Sequence, residues 1–139
     1  RKLGMKQPVY GSDRVVSSEF LKIAGKDAEG IVSTSQYNPY AEIPELKTFQ
    51  ADYFKKFGIK PDVFAAHAYD GMNLILEAIH KAGLNRVLIR DVLTDLKTFQ
   101  GYHGVTGKII LDGSWNDIGD IWLVKVQNGK FKYTANPKI

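Results

Sequence analysis

His67, Tyr69 and Asp70 stand together in "AAHAYDGMNLILEAIHKAG", Ala65 to Gly83, where an apolar helical pattern takes over. A histidine and a carboxylate three residues apart at a helix start could touch one metal ion. A tight metal site takes three or four ligands, however, and no other candidate shares a convincing spacing with this pair. The chain has no cysteine, so thiolate sites and disulfides are excluded, and neither a metal nor a cofactor is expected. Nucleophilic catalysis is no better supplied. Ser12, Ser17 and Ser35 lie outside any G-x-S-x-G turn, and His67, His80 and His103 sit in unrelated contexts, so the expectation is that the chain is not an enzyme. Gly101, Gly104 and Gly107 imitate a phosphate loop, but a helix precedes them and a strand follows. That order is the reverse of what aims helix amides at a phosphate, so these glycines are expected to make turns.

A second polar cluster is "YGSDR", holding Ser12, Asp13 and Arg14. It follows a strand signal and precedes a helix signal, which is where open α/β sheets place ligand-binding groups. Residue chemistry leaves two readings of Asp13 open: a carboxylate suited to a ligand ammonium, or a helix-start residue serving a nearby cap.

These groups need elements to hold them. "QPVYGSD" reads as a short strand, and "VSSEFLKIAG" as a serine-capped helix with Phe20, Leu21 and Ala24 inward and Gly25 as its stop. "EGIVSTSQY" is a second strand and "NPYAEI" a crossing. Pro44 to Phe57 carries apolar residues at helical spacing and ends at Gly58, which suits a left-handed cap. In the opening stretch Met72, Ile75, Leu76 and Ile79 fall at i, i+3, i+4 and i+7, which predicts that this stripe faces the core. "NRVLIRDVLTDLKTF" predicts a helix capped by Asn85, with Val87, Leu88, Val92, Leu93 and Leu96 on its apolar side. "GKIILD" and "DIWLVKVQNGKFKYT" read as strands, the second folded back at Asn128-Gly129. The repeated pentapeptide at Leu46–Gln50 and Leu96–Gln100 has unlike neighbours and reads as coincidence. Strands first, helices in the middle and strands last make an α/β chain.

The 139 residues suffice for one ordinary core. The net charge of +4 comes from scattered lysines and arginines without a basic face or interleaved aromatics, which argues against a nucleic-acid partner. No apolar run is long enough to span a bilayer and "RKLGMKQP" lacks the apolar stretch of a signal peptide, so a mature or truncated soluble chain is expected.

Taken in order, "PVYGSDRVVSSEFLKIAGKDAEGIVSTSQYNP", "FAAHAYDGMNLILEAIHKAG" and "GVTGKIILDGSWNDIGDIWLVKVQNGKF" resemble the C-terminal half of the type I periplasmic solute-binding proteins. The nearest group is the branched-chain amino-acid receptors of ABC importers. The resemblance implies two Rossmann-like α/β lobes of which only the C-terminal part is present, with residues 1–36 and 115–139 in the second lobe and 37–114 in the first. It implies a non-enzymatic, periplasmic or otherwise extracytoplasmic receptor, with or without a lipid anchor, that closes on an amino acid or similar small organic acid. Its partners would be a membrane permease and the missing N-terminal half of the same receptor. Asp13 would hold the ligand's ammonium, with Ser12 in the same loop, and Tyr69 would line the cleft. Arg14 departs from the family, where a small residue is usual, and leaves the ligand class open. His67 becomes a neighbour of the pocket and Asp70 a helix cap. The rival readings are a stand-alone flavodoxin-like regulatory or enzymatic domain, and a ligand-sensing domain of a receptor.

Overall fold

The computed structural model describes residues 4–95 and 101–134. In chain order the elements are β1 (Tyr10–Gly11), a 3-10 turn (Asp13–Val15), α1 (Ser18–Ala24), a second 3-10 turn (Gly25–Ala28) and β2 (Val32–Ser35). Then come α2 (Pro44–Phe57), α3 (Val63–Ala82), α4 (Arg86–Thr94), β3 (Tyr102–Gly104), β4 (Gly107–Ile109), β5 (Trp122–Gln127) and β6 (Lys130–Thr134). They fall into two compact units, Arg1–Asn38 with Ile121–Ile139, and Pro39–Asp120.

The first unit is built on a four-stranded mixed sheet of order β1-β2-β5-β6. β1 runs parallel to β2, whereas β5 pairs antiparallel with β2 and with β6. Alternation along β5 turns Val124 and Val126 into the core and leaves Leu123, Lys125 and Gln127 exposed, as expected for a sheet with one covered face. The buried residues of β2 are serines, and both are hydrogen-bonded. Ser33 Oγ donates to the Ser12 carbonyl, while Ser35 Oγ donates to Tyr37 O at 2.8 Å and accepts from Tyr37 N at 3.2 Å. At the predicted hairpin Asn128 and Gly129 have φ of 52° and 67°, the left-handed pair that matches the twist of the strands. The turn is held from outside: Glu29 accepts from Asn128 N at 2.9 Å and Gly129 N at 3.2 Å.

The second unit is helical, with the β3–β4 hairpin beside it. The predicted signals act where expected. Pro44 opens α2, Gly58 closes it at φ 71°, and Asn85 Oδ1 accepts from Val87 N and Leu88 N at the start of α4. α2 buries Leu46 and Phe49. His103 lies in β3 opposite Lys108. Leu96 and the second pentapeptide copy lie outside the described residues.

α3 corrects the sequence reading twice. It starts at Val63, a turn before His67, because the Asp62 carboxylate accepts from Ala65 N at 2.8 Å. Its buried face is Val63, Ala66, Asp70, Leu74 and Ala78, and of the stripe predicted to be core Met72, Ile75 and Leu76 are exposed, Met72 at 59 % and Leu76 at 54 %, while Ile79 is half-buried. The helix is apolar nearly all round, so periodicity could select either side; the small alanines let neighbours approach the face that won. Val87 and Leu88 of α4, also predicted inward, are exposed too. So much uncovered apolar surface predicts that this chain alone self-associates. Leu76→Glu is expected to shift its sedimentation profile toward monomer, and a wild-type chain that sediments as a single monomeric species would contradict this.

Candidate functional site

In the first unit the "GSDR" loop leaves the carboxyl end of β1 and turns at once into the 3-10 segment. Val15 N donates to Ser12 O and Val16 N to Asp13 O, so the turn is stitched by its own backbone while Val16 plugs into the core. A Cβ on Gly11 would stand 2.7 Å from Val15 Cγ2, so a larger residue there would have to displace the Val15 side chain. Ser12, Asp13 and Arg14 are all exposed, and Ser12 makes no side-chain cap. No ion pair joins Asp13 to Arg14. The cap reading of Asp13 therefore loses its support, since neither it nor Ser12 engages the turn through its side chain. The loop presents a hydroxyl, a carboxylate and a guanidinium within three residues, a set able to meet both an ammonium and a carboxylate.

In the second unit α3 carries the other three sequence candidates. His67 Nδ1 donates to Val63 O at 2.7 Å, a bond back to its own helix that removes the nitrogen from chemistry. Tyr69 is 47 % exposed and its ring lies 4.7 Å from that of Phe49 on α2. The two begin an aromatic row that continues through Tyr53 to Phe57, with centroid separations of 5.7 and 4.6 Å. Together with Glu45 and Asp52 they line a groove of about 420 Å3. Tyr69 is thus both a packing partner of Phe49 and a wall of an open groove. Ser12, Asp13 and Arg14 share one loop; Tyr69 belongs to the other unit.

Asp70 is not a cap. It lies in the third turn of α3 with no exposed surface, and the β3–β4 turn closes over it. Oδ1 accepts from Val105 N at 2.8 Å, and Oδ2 accepts from Thr106 N at 2.8 Å and Thr106 Oγ1 at 2.6 Å. A Cβ on Gly104 would meet the carboxyl group at 2.3 Å, so glycine is what lets hairpin and carboxylate come this close. The neighbouring Tyr102 phenol is held above its usual range, first by burial and then by the Asp70 charge. The clue in the sequence was the position itself. Asp70 falls four residues after Ala66 and four before Leu74, and a carboxylate on a core face requires donors, which the "GVTG" turn supplies.

Among the described residues no group of three or more His, Asp or Glu side chains is arranged to hold a metal, and no helix is long and apolar enough to cross a membrane.

Residues 1–130 match the family model described as "Periplasmic binding protein". The chain belongs to that family. Among family members it is similar to the Leu/Ile/Val-binding protein homolog 2 of Brucella abortus, 27 % identical over 94 % of this chain and 35 % of the relative. Of solved structures, the leucine-binding protein LivK from Thermotoga maritima superposes with a TM-score of 0.81 at 28 % identity, covering 98 % of this chain and 39 % of that one. LivJ from Streptococcus pneumoniae, in complex with isoleucine, gives 0.76 at 28 % identity, covering 96 % and 39 %. The fold is the type I periplasmic-binding fold of the branched-chain amino-acid group, and the chain spans little more than a third of the relatives it matches.

Proposed function

We propose that this chain is part of the solute-binding receptor of an ABC importer, and that the receptor captures an amino acid or similar small organic acid by closing two lobes on it. The observation that carries this reading is the free "GSDR" loop at the carboxyl end of β1. Among the described residues the Asp13 carboxylate and the Arg14 guanidinium stand there without an ion-pair partner, on a turn held by its own backbone, within a fold that two branched-chain amino-acid-binding proteins share over nearly the whole chain. Asp13 takes the ligand ammonium, Arg14 and Ser12 its carboxylate, and Tyr69 lines the cleft from the other lobe. The unit formed by Arg1–Asn38 with Ile121–Ile139 belongs to the second lobe and Pro39–Asp120 to the first. The ligand stabilises the closed form by touching both lobes. Such a receptor performs no chemistry on its solute. It works outside the cytoplasmic membrane and has as partners a membrane permease and the preceding half of its own chain, with no role for nucleic acid.

The test is calorimetric titration of the complete receptor with leucine, isoleucine and valine, and with 4-methylpentanoate, which keeps the leucine skeleton without the amine. Binding of an amino acid with no heat from the deaminated analogue is expected. Preference for the analogue would instead make Arg14 the group that selects the ligand. Heat from neither, across a panel of amino and organic acids, would remove the reading.

Tyr69 tests the second wall. Tyr69→Ala is expected to weaken solute binding by about 1–3 kcal/mol through lost aromatic and cation contact. Its stacking on Phe49 predicts some loss of thermal stability as well. Unchanged affinity per folded molecule would make Tyr69 a packing residue only.

A further inference from the structure

On a different side of α2 from Tyr69, Gln50, Ala51 and Phe54 face a second groove of about 580 Å3, walled also by Pro39, Tyr40, Lys60 and Pro61. Its volume is in the range that holds a small organic ligand. Tyr40 and Phe54 expose large aromatic surfaces to it, at 75 % and 55 %. Two prolines with fixed φ, Pro39 and Pro61, stand in the lining, and Gln50 Nε2 donates to Pro39 O at 2.9 Å, tying the entering segment to α2. The site therefore needs little ordering when filled. Lys60 is the sole charged side chain in the lining, and among the described residues it has no carboxylate partner. Neither of the solute-site groups assigned above, the Ser12–Arg14 loop and Tyr69, contributes to it.

We propose that this groove is an accessory binding site for a flat aromatic monocarboxylate, whose ring lies against Tyr40 and Phe54 and whose carboxylate meets Lys60. The lining selects that class by elimination. Apolar and aromatic walls favour a planar hydrophobic body, the lone cation favours one negative charge, and no carboxylate in the lining is there to receive an amine, so amino acids are poor occupants.

The test uses the isotope-labelled full-length protein titrated with 2-naphthoate and with 2-naphthamide, which share a shape and differ in charge. Naphthoate is expected to shift the amide signals of Gln50, Ala51, Phe54 and Lys60. Naphthamide is expected to bind about two- to fivefold more weakly, the worth of one partly exposed ion pair. The exposed Lys60→Gln variant should bring naphthoate down to the naphthamide level, and Phe54→Ala should weaken both ligands. Equal affinity for the two probes, no effect of Lys60→Gln, shifts centred on Tyr69 or on Ser12–Arg14, or no binding of either probe would each overturn the proposal. Because the signals are assigned residue by residue and no solute is used, failure here leaves the receptor reading standing, and failure of that reading leaves this one.

Discussion

Asp13→Asn in the complete receptor is expected to lower affinity for amino acids by about two to four orders of magnitude. The substitution keeps the shape of the side chain and removes its charge, so a bound ammonium in a closed, partly dry cleft is left without its counter-ion. Breaking such a pair costs about 3–5 kcal/mol, which sets the expected loss. Folding should be unaffected, because Asp13 is exposed and its turn is held by backbone bonds to Ser12 O and Asp13 O. The measurement is titration calorimetry of wild type and variant against amino acids and their deaminated analogues. A carboxylic acid lacking the amine should be indifferent to the change or bind the variant better, since the repulsion from Asp13 is gone. Equal affinity of both proteins for every amino acid that binds would take Asp13 out of the site.

Asp70→Asn is expected to act on stability instead, with a loss of about 2–4 kcal/mol. The carboxylate uses both oxygens as acceptors for three donors of the β3–β4 turn. An amide of the same size replaces one acceptor with an NH2 group, which then faces Val105 N–H or the two Thr106 donors and leaves a buried donor unsatisfied. Thr106→Val removes only the hydroxyl bond and should cost about 1 kcal/mol, which separates the turn's anchoring from general sensitivity at the site. Urea unfolding of the two variants measures both. A change in unfolding free energy below about 0.5 kcal/mol for Asp70→Asn would mean that the buried carboxylate does not fasten the hairpin.

Asp70 also marks where reading the sequence reaches its limit. α2, α4 and the β5–β6 hairpin were legible because their signals are local: Pro44 and Gly58, the Asn85 cap, and Asn128-Gly129 each act within a few residues. α3 was recognised as a helix, but its inner face was not, because Met72, Ile75, Leu76 and Ile79 make as good a stripe as the alanine-rich side that is buried. What decides between them is the hairpin 35 residues downstream, whose glycine and two amides fit only the Asp70 side. Of the candidate site, the exposed "GSDR" loop was visible as a strand-to-helix turn, while the aromatic row from Tyr69 to Phe57 joins two helices that no local pattern relates.

The sheet order β1-β2-β5-β6 also imposes a schedule. β2 finds its partner in β5, with Val32 opposite Lys125, and Glu29 holds a turn 99 residues further along. The Pro39–Asp120 unit is contiguous and can condense as soon as it is synthesised, but the other unit stays open until Ile121 to Thr134 arrive. Closing so long an intervening stretch is slow compared with forming a helix, and domains of a growing chain fold as their residues emerge. The half that carries Asp13 is therefore the last to take shape, although its residues are among the first of this chain to be made. A ribosomal stop or proteolytic cut ahead of Trp122 would leave the helical unit whole and strand β2 with a bare edge, a target for aggregation or degradation.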